Sequence, residues 1–322
     1  MAATARKIVP SDDRAARGEF ARDVLDGLKR TPKAIPPKYF YDSEGSRLFD
    51  QITRLAEYYP TRSEIEILRA HASEIAALIP ERAALVEFGS GSSVKARILL
   101  DAAPHIVAYV PVDVSADYLA QEAEGLRKDY PDLRVLPLAA DFAARFALPA
   151  EIEALARAGF FPGSTIGNFE PHEAYAFLQN ARRILGRESV LIVGTDLEKS
   201  AQILNAAYND GEGVTEKFNL NLLNRINREL GADFDPSSFE HHAFYNRERH
   251  RIEMHLASVR RQKVKVAGEV IDFRAGETIH TENSYKYTPS SFVSLVRGAG
   301  WRPLAVWTDR RKYFSVHALR AD

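Results

Sequence analysis

The 322-residue chain contains no cysteine, which removes disulfides, thiolate metal centres and a cysteine nucleophile, and suits a reducing compartment without demanding one. Neither sign of charge is in excess: 43 Lys and Arg stand against 44 Asp and Glu, a formal charge of −1. No global field draws the chain to nucleic acid or to an acidic membrane, so a small-molecule partner is expected. No run approaches the ~18 apolar residues of a membrane span, and the N-terminal MAATARKIVPSDDRAARGEF has no apolar signal core. A cytoplasmic monomer is expected. Internal repeats and low-complexity tracts are also missing.

What is present is patterned. Residues 1–60 are mixed and aromatic-rich, and SEIEILRAHASEIAALI (63–79) spaces its apolar residues as a helix behind Ser63, a candidate cap. From 84 to 196, short β-branched runs alternate with helical patterns: ALVEF then 94–103, IVAYVPV then 116–128, RVLPLA then a helical stretch near 150–158, and SVLIV after a helix at 172–185. Such alternation predicts an α/β fold with a parallel sheet, whose ligands sit outside the carboxyl ends of the strands. Residues 197–286 break the rhythm with a polar helix (NLNLLNRINREL) and two alternating runs, RIEMHLASV and QKVKVAGEVIDF, that read as antiparallel strands of a second lobe. The tail returns to a helix, PSSFVSLVRGAG, and to PLAVWTD and YFSVHAL, a candidate hairpin on the sheet edge.

The stretch LVEFGSGSSVKARILL (85–100) bares its backbone after the first strand of that rhythm. A P-loop needs a second glycine where Val94 stands and a Ser or Thr where Ala96 follows Lys95; the dinucleotide fingerprint loses its third glycine after Gly89 and Gly91. A pyrophosphate is poorly served. A glycine turn with Glu87 just before it suits a ligand that presses an ammonium-bearing group against bare backbone, as S-adenosylmethionine does, with Lys95 offering a charge to that ligand's carboxylate. The bland alternative is a turn that needs glycine only for its positive φ. Asp113, 22 residues beyond Gly91, closes the second strand, where it would accept from ribose hydroxyls and would serve NAD equally. Asp141 and Phe142 close the third run, an acceptor for an adenine amino group and a ring to cover its face. Each Asp alone could be a solvated strand end or a helix cap; together they favour the cofactor reading.

At this point the chain resembles the S-adenosylmethionine-dependent histidine Nα-methyltransferases of ergothioneine biosynthesis. The resemblance is carried by PPKYFYDSEGSRLFDQITRLAEYYPTRSE, VEFGSGSSVKARILLDA, GSTIGN, GTDLEKS, FNLNLLNRINREL, RIEMHL and TENSYKY, spanning residues 36 to 287. It implies a Rossmann-like class I methyltransferase domain over 61–196 and 287–322 and a smaller α+β substrate lobe over 1–60 and 197–286. It implies that Asn168 and Tyr208 hold the amino acid's carboxylate and that Tyr41 and Tyr58 stand near its amino group and imidazole, with Tyr41 and Asn168 in the catalytic centre. Glu282 and Ser284 match the pair that reads the imidazole, and Met254 matches an apolar wall. A neutral imidazole shows one N–H and one bare nitrogen, which a carboxylate and a hydroxyl satisfy together. The family's positions corresponding to His255, Asn283 and Tyr285 vary.

The implied reaction is in-line attack by the neutral α-amine of free L-histidine on the sulfonium methyl, up to three times, giving the trimethyl betaine hercynine. No strong general base is evident, so the amine's proton would leave to water or through Tyr41. Rival readings stay open: the same fold methylating another amino acid or amine, which should lose the Glu282 and Ser284 pair; an NAD-dependent dehydrogenase, which would share Asp113; or an idle binding protein. The nine histidines show neither H-E-x-x-H spacing nor a cysteine partner, so no metal is expected and they read as surface or packing residues.

Overall fold

The α/β rhythm folds into one large sheet in the computed structural model, which describes residues 13–322, and a four-stranded sheet and a two-stranded hairpin stand beside it. The reading of the extreme N-terminus as lacking a signal core falls partly on residues 1–12, outside the described part, as does the start of the segment assigned to the substrate lobe. The N-terminal part supplies α1 (Asp13–Lys29), β1 (Lys33–Ala34), α2 (Ser43–Ile52), α3 (Tyr59–Ala70) and α4 (Ala72–Ala76). The expected single helix at 63–79 is corrected here. It starts earlier, at Tyr59 with Pro60 in its first turn, where a fixed φ and a missing N–H are tolerated, and it breaks at His71.

The large sheet begins with β2 (Ala84–Phe88), followed by α5 (Val94–Ala102), β3 (Ala108–Asp113), α6 (Ala116–Asp129), β4 (Arg134–Val135) and β5 (Leu138–Ala139). It continues through β6 (Arg157–Phe161), α7 (Pro171–Leu185) and β7 (Val190–Asp196). All six strands run parallel. Every residue of β2 and β7 is buried, as expected for parallel strands covered on both faces. Two expectations fail locally. RVLPLA is two short strands, because Pro137 has no N–H to give a ladder. The region near 150–158 holds only a 3₁₀ turn, Ala150–Ile152, before β6, a strand the periodicity missed. Gly159 hides it: a Cβ there would stand 2.6 Å from Leu185 Cδ1 and 2.7 Å from Leu191 Cδ1, so close packing of α7 on the sheet requires the glycine that weakens the strand pattern.

The second part supplies α8 (Ala201–Tyr208), α9 (Val214–Leu230), β8 (Phe239–Asn246), β9 (Arg251–Ser258), β10 (Gln262–Val266), β11 (Glu269–Phe273) and β12 (Thr278–Tyr285). The chain then closes with α10 (Pro289–Gly298), β13 (Trp301–Thr308) and β14 (Phe314–Ala321). The tail hairpin adds to the large sheet antiparallel, giving the order β13-β14-β7-β6-β2-β3-β4 with β5 beside β3. This is a Rossmann-like sheet whose strand order reverses at β2, so the opening lies at the carboxyl ends of β2, β3 and β6. QKVKVAGEVIDF is itself the β10–β11 hairpin, turning through Ala267 and Gly268, both at positive φ.

The small sheet runs β1-β12-β9-β8 and packs α9 on one side. Its decisive irregularity is in β12: His280 pairs with His255 but Glu282 pairs with Met254, leaving Thr281 as an extra residue. Such a bulge moves the residues after it to the opposite face. Thr281 is held there by hydrogen bonds from its hydroxyl to Asn219 Oδ1 of α9 at 2.8 Å and to the Met254 carbonyl at 3.1 Å. Among the described residues, no helix is long and apolar enough to cross a membrane.

Candidate active site

A cavity of about 330 Å³ opens at the carboxyl ends of β2 and β3, and it leads into a polar recess of about 40 Å³ toward the small sheet. Tyr41, Phe49, Tyr58, Gly163, Thr165 and Asn168 line both. Gly89, Gly91, Lys95, Asp113, Asp141 and Phe142 all face the larger space.

The floor is the turn after β2. Gly89 and Gly91 have φ of +72° and +30°, and a Cβ on Gly89 would stand 3.2 Å from the Phe142 ring. Both the conformation and the approach of that ring call for glycine. Asp113 accepts from Ser115 N at 2.9 Å and Gly91 N at 3.4 Å, which fixes its carboxyl at the rim of the turn; burial raises its pKa. Asp141 accepts from Ala143 N at 2.9 Å and has Lys38 Nζ at 3.6 Å.

Glu87 also lines the cavity, from the carboxyl end of β2. Its carboxyl is buried, accepts from the Tyr109 hydroxyl and is pushed up to about 8 by burial. A buried acid raised this far lacks a full counter-charge, and an incoming ammonium would supply one. Lys95 differs from expectation. Its ammonium is not free but lies 2.6 Å from Glu64 Oε2, a wholly buried carboxylate that also accepts from Gly163 N.

The walls are aromatic. Tyr41 and Phe49 meet edge to face at 5.8 Å, Phe49 and Tyr58 at 6.2 Å, and Tyr58 and Tyr208 at 6.2 Å. Tyr41 and Tyr58 hydroxyls bond to none of the described residues, and neither does the Asn168 amide, so all three are available to a ligand. Burial, with the Glu282 charge behind it, holds the Tyr41 hydroxyl protonated well above its ordinary range. Tyr41 therefore meets a ligand as a neutral hydroxyl, which passes a proton on only by giving up its own in the same step.

In the recess, Tyr208 donates to Ser284 Oγ at 2.8 Å, and Lys286 Nζ donates to the same oxygen at 2.7 Å. Lys286 also pairs with Asp196 Oδ2 at 2.8 Å. The Glu282 carboxyl is buried and accepts no hydrogen bond from the described residues; burial pushes it up to about 7, with Lys286 pulling the other way. Met254 lies outside the wall. It sits in the core, one strand over from Glu282, and lines neither space.

Sequence reasoning noted Glu87 only in passing and missed Lys286, Asp196 and Phe49. Signals existed. Glu87 is the one charge in the apolar run ALVEF, and Glu282, Ser284 and Lys286 alternate along one face. The histidines are not scattered either. His255 and His280 stack at 4.6 Å beside Glu253, their ligand-type atoms within 4.8 Å of one another. Glu253 also pairs with Arg251 at 2.8 Å, and His255 Nδ1 is buried with no hydrogen-bond partner among the described residues.

Comparison with known proteins adds the chemistry's name. Residues 20–321 match the family described as histidine-specific, S-adenosylmethionine-dependent methyltransferases. The chain is 44% identical to a histidine N-alpha-methyltransferase of Mycobacterium tuberculosis (strain CDC 1551 / Oshkosh), over 92% of both chains. It is 43% identical to one of Mycolicibacterium smegmatis (strain ATCC 700084 / mc(2)155), again over 92% of each. It is also 30% identical, over 90% of its length, to ergothioneine biosynthesis protein 1 of Neurospora crassa, of which it covers 33%.

Proposed function

The chain belongs to the histidine-specific, S-adenosylmethionine-dependent methyltransferases, and from that premise we propose that it methylates the α-amino group of free L-histidine up to three times, giving hercynine for ergothioneine biosynthesis, as a cytoplasmic monomer. The observation that carries this reading is the adjacency of two cavities that share six wall residues: a glycine and carboxylate cradle, and a recess with a buried carboxyl and hydroxyl in its lining. The residues fit the cofactor: Glu87 would take its ammonium, Asp113 its ribose hydroxyls, Asp141 its adenine amino group, and Phe142 would cover the ring. Lys95, matched by Glu64, would steer a carboxylate with hydrogens more than with net charge. S-adenosylmethionine supplies an electrophilic methyl group.

The chain's own residues supply position, since holding reacting atoms about 3–3.5 Å apart recovers much of the entropy of a bimolecular encounter. Asn168 donates to the substrate carboxylate, Tyr208, expected beside it, gives its hydrogen to Ser284 instead, and Glu282 with Ser284 takes the imidazole, leaving the α-amine beneath Tyr41 and Tyr58. Their neutral rings accommodate the cation that grows with each methylation. The two-sheet architecture supports assigning 61–196 and 287–322 to the cofactor and 1–60 with 197–286 to the substrate. Incubation with isotope-labelled S-adenosylmethionine and a mixture of amino acids, followed by mass analysis, tests the reading. Label in histidine, up to three methyls, is expected; label in tryptophan or another amine, or calorimetric retention of NADH in place of S-adenosylhomocysteine, overturns it.

A further inference from the structure

Ser284 Oγ stands between two donors, Lys286 Nζ at 2.7 Å and the Tyr208 hydroxyl at 2.8 Å. An ammonium has hydrogens and no lone pair, so the Lys286 contact runs one way only. A hydroxyl has two lone pairs and one hydrogen; with both lone pairs engaged, its O–H is what faces the cavity. Lys286 cannot turn aside, because its side chain is buried and its remaining hydrogens meet Asp196 Oδ2 at 2.8 Å and the Tyr208 oxygen at 3.4 Å. Asp196 is held in turn by Lys199 at 2.6 Å and the Tyr59 hydroxyl at 2.7 Å. Lys286 and Lys199 thus share one carboxylate, and burial lowers the Lys199 ammonium to about 8.

We propose that Lys286 is a positioning residue for substrate recognition: it makes Ser284 an obligatory donor, so the recess takes neutral imidazole, bare nitrogen to Ser284 and N–H to Glu282, and rejects imidazolium. The inference rests on the histidine reading above. Imidazolium carries N–H on both nitrogens, and one of them would meet the Ser284 hydrogen with no acceptor between. The titratable groups facing the recess are Lys286 itself; Tyr41, Tyr58 and Tyr208, kept neutral by burial; Asp196, kept ionised by Lys286 and Lys199 against its burial; and Glu282, raised to about 7, with Lys199 behind Asp196 lowered by burial to about 8. Glu282 titrates alongside the ligand and Lys286 itself lowers that titration, so the test is carried by how the Lys286 effect changes once Ser284 is absent.

Histidine affinity is measured by calorimetry, with S-adenosylhomocysteine in excess, for the parent, Lys286→Met, Ser284→Ala and the double variant between about pH 5.5 and 8. Lys286→Met is expected to weaken histidine about tenfold at the alkaline end, and the affinity it loses per pH unit on the acid side is expected to be smaller than the parent's by up to about tenfold, one linked proton fewer, because the freed Ser284 can accept from one additional N–H. In the Ser284→Ala background the same change should move affinity less than about twofold. Parallel pH curves, or an undiminished effect without Ser284, overturn the proposal. Should Lys286→Met not fold, ¹⁵N-labelled histidine bound to the parent at about pH 6 decides, where a single neutral tautomer is expected and bound imidazolium overturns. A parent that binds S-adenosylhomocysteine but no histidine at any pH would overturn the function, a distinct result.

Discussion

Glu282 is a carboxyl with no hydrogen-bond partner among the described residues, buried at the end of a recess, and burial, against the pull of Lys286, pushes it up to about 7. A substrate N–H is what it lacks. Glu282→Ala is expected to lower kcat/KM for histidine by roughly 10²- to 10⁴-fold, since a site built on hydrogen bonds discriminates strongly against unpaired groups. Phenylalanine and tryptophan, which would leave the parent carboxyl desolvated, should lose less or gain. Kinetics for all three amino acids check this, and an equal loss for all would assign Glu282 to the fold. Glu87 has the same character in the cofactor cradle. Its folded pKa, about 8, lies above the unfolded value near ~4.3, so its contribution to stability is fully present below that value and is lost as pH rises through about 8. Glu87→Gln should therefore melt progressively higher than the ligand-free parent as pH rises across that window, and should bind S-adenosylhomocysteine more weakly throughout. Thermal melts of the two proteins at several pH values, with and without ligand, measure both.

One extra residue in β12 decides which face of the small sheet carries the recess. Without the Thr281 bulge, Glu282 and Ser284 would share a face with His280, which stacks on His255 away from the cavity. The pin is polar and buried: Thr281 to Asn219, with the Asn219 amide donating to the His255 carbonyl at 3.0 Å. Thr281→Val keeps the branched shape but strands Asn219 Oδ1, at a cost of about 1–3 kcal/mol. The expected signature is a lowered Tm and a raised KM for histidine with cofactor affinity nearly unchanged, because Gly89, Asp113 and Phe142 hang on the other sheet. Calorimetry of both ligands separates the two; equal weakening of both would show that the bulge supports the whole fold.

At the scale of the molecule, the cavity exists because two sheets meet over it, joined by buried charge: Asp196 ends β7 of the large sheet and Lys286 follows β12 of the small one. Catalysis then depends on two protonation states at opposite ends of the substrate. The α-amine must be neutral, with a pKa near ~8 or above, and Glu282, at about 7, must be ionised. Both requirements have the same sign. kcat/KM for histidine should rise from about pH 6 and level off above about 9. A pre-steady-state measurement that isolates the chemical step checks this, and a flat profile across that range would count against amine attack.

The parallel strands, the glycine turn and the acidic strand ends were legible in the sequence because each is a local matter. Strands buried on both faces read as apolar runs, and positive φ at Gly89 follows from steric rules that a neighbour or two impose. Resemblance to a family carried the recess residues, which periodicity alone would have left as core tyrosines and a solvated glutamate. Only the tertiary structure decided the rest, because charge pairing and strand register join residues far apart in the chain. Lys95 is matched by Glu64, Met254 drops behind the wall, Lys286 stands under Ser284, and a single bulge turns Glu282 inward. None of these contacts leaves a periodic trace: a buried partner is chosen by three-dimensional proximity and desolvation, and the sequence records only that the residue is present.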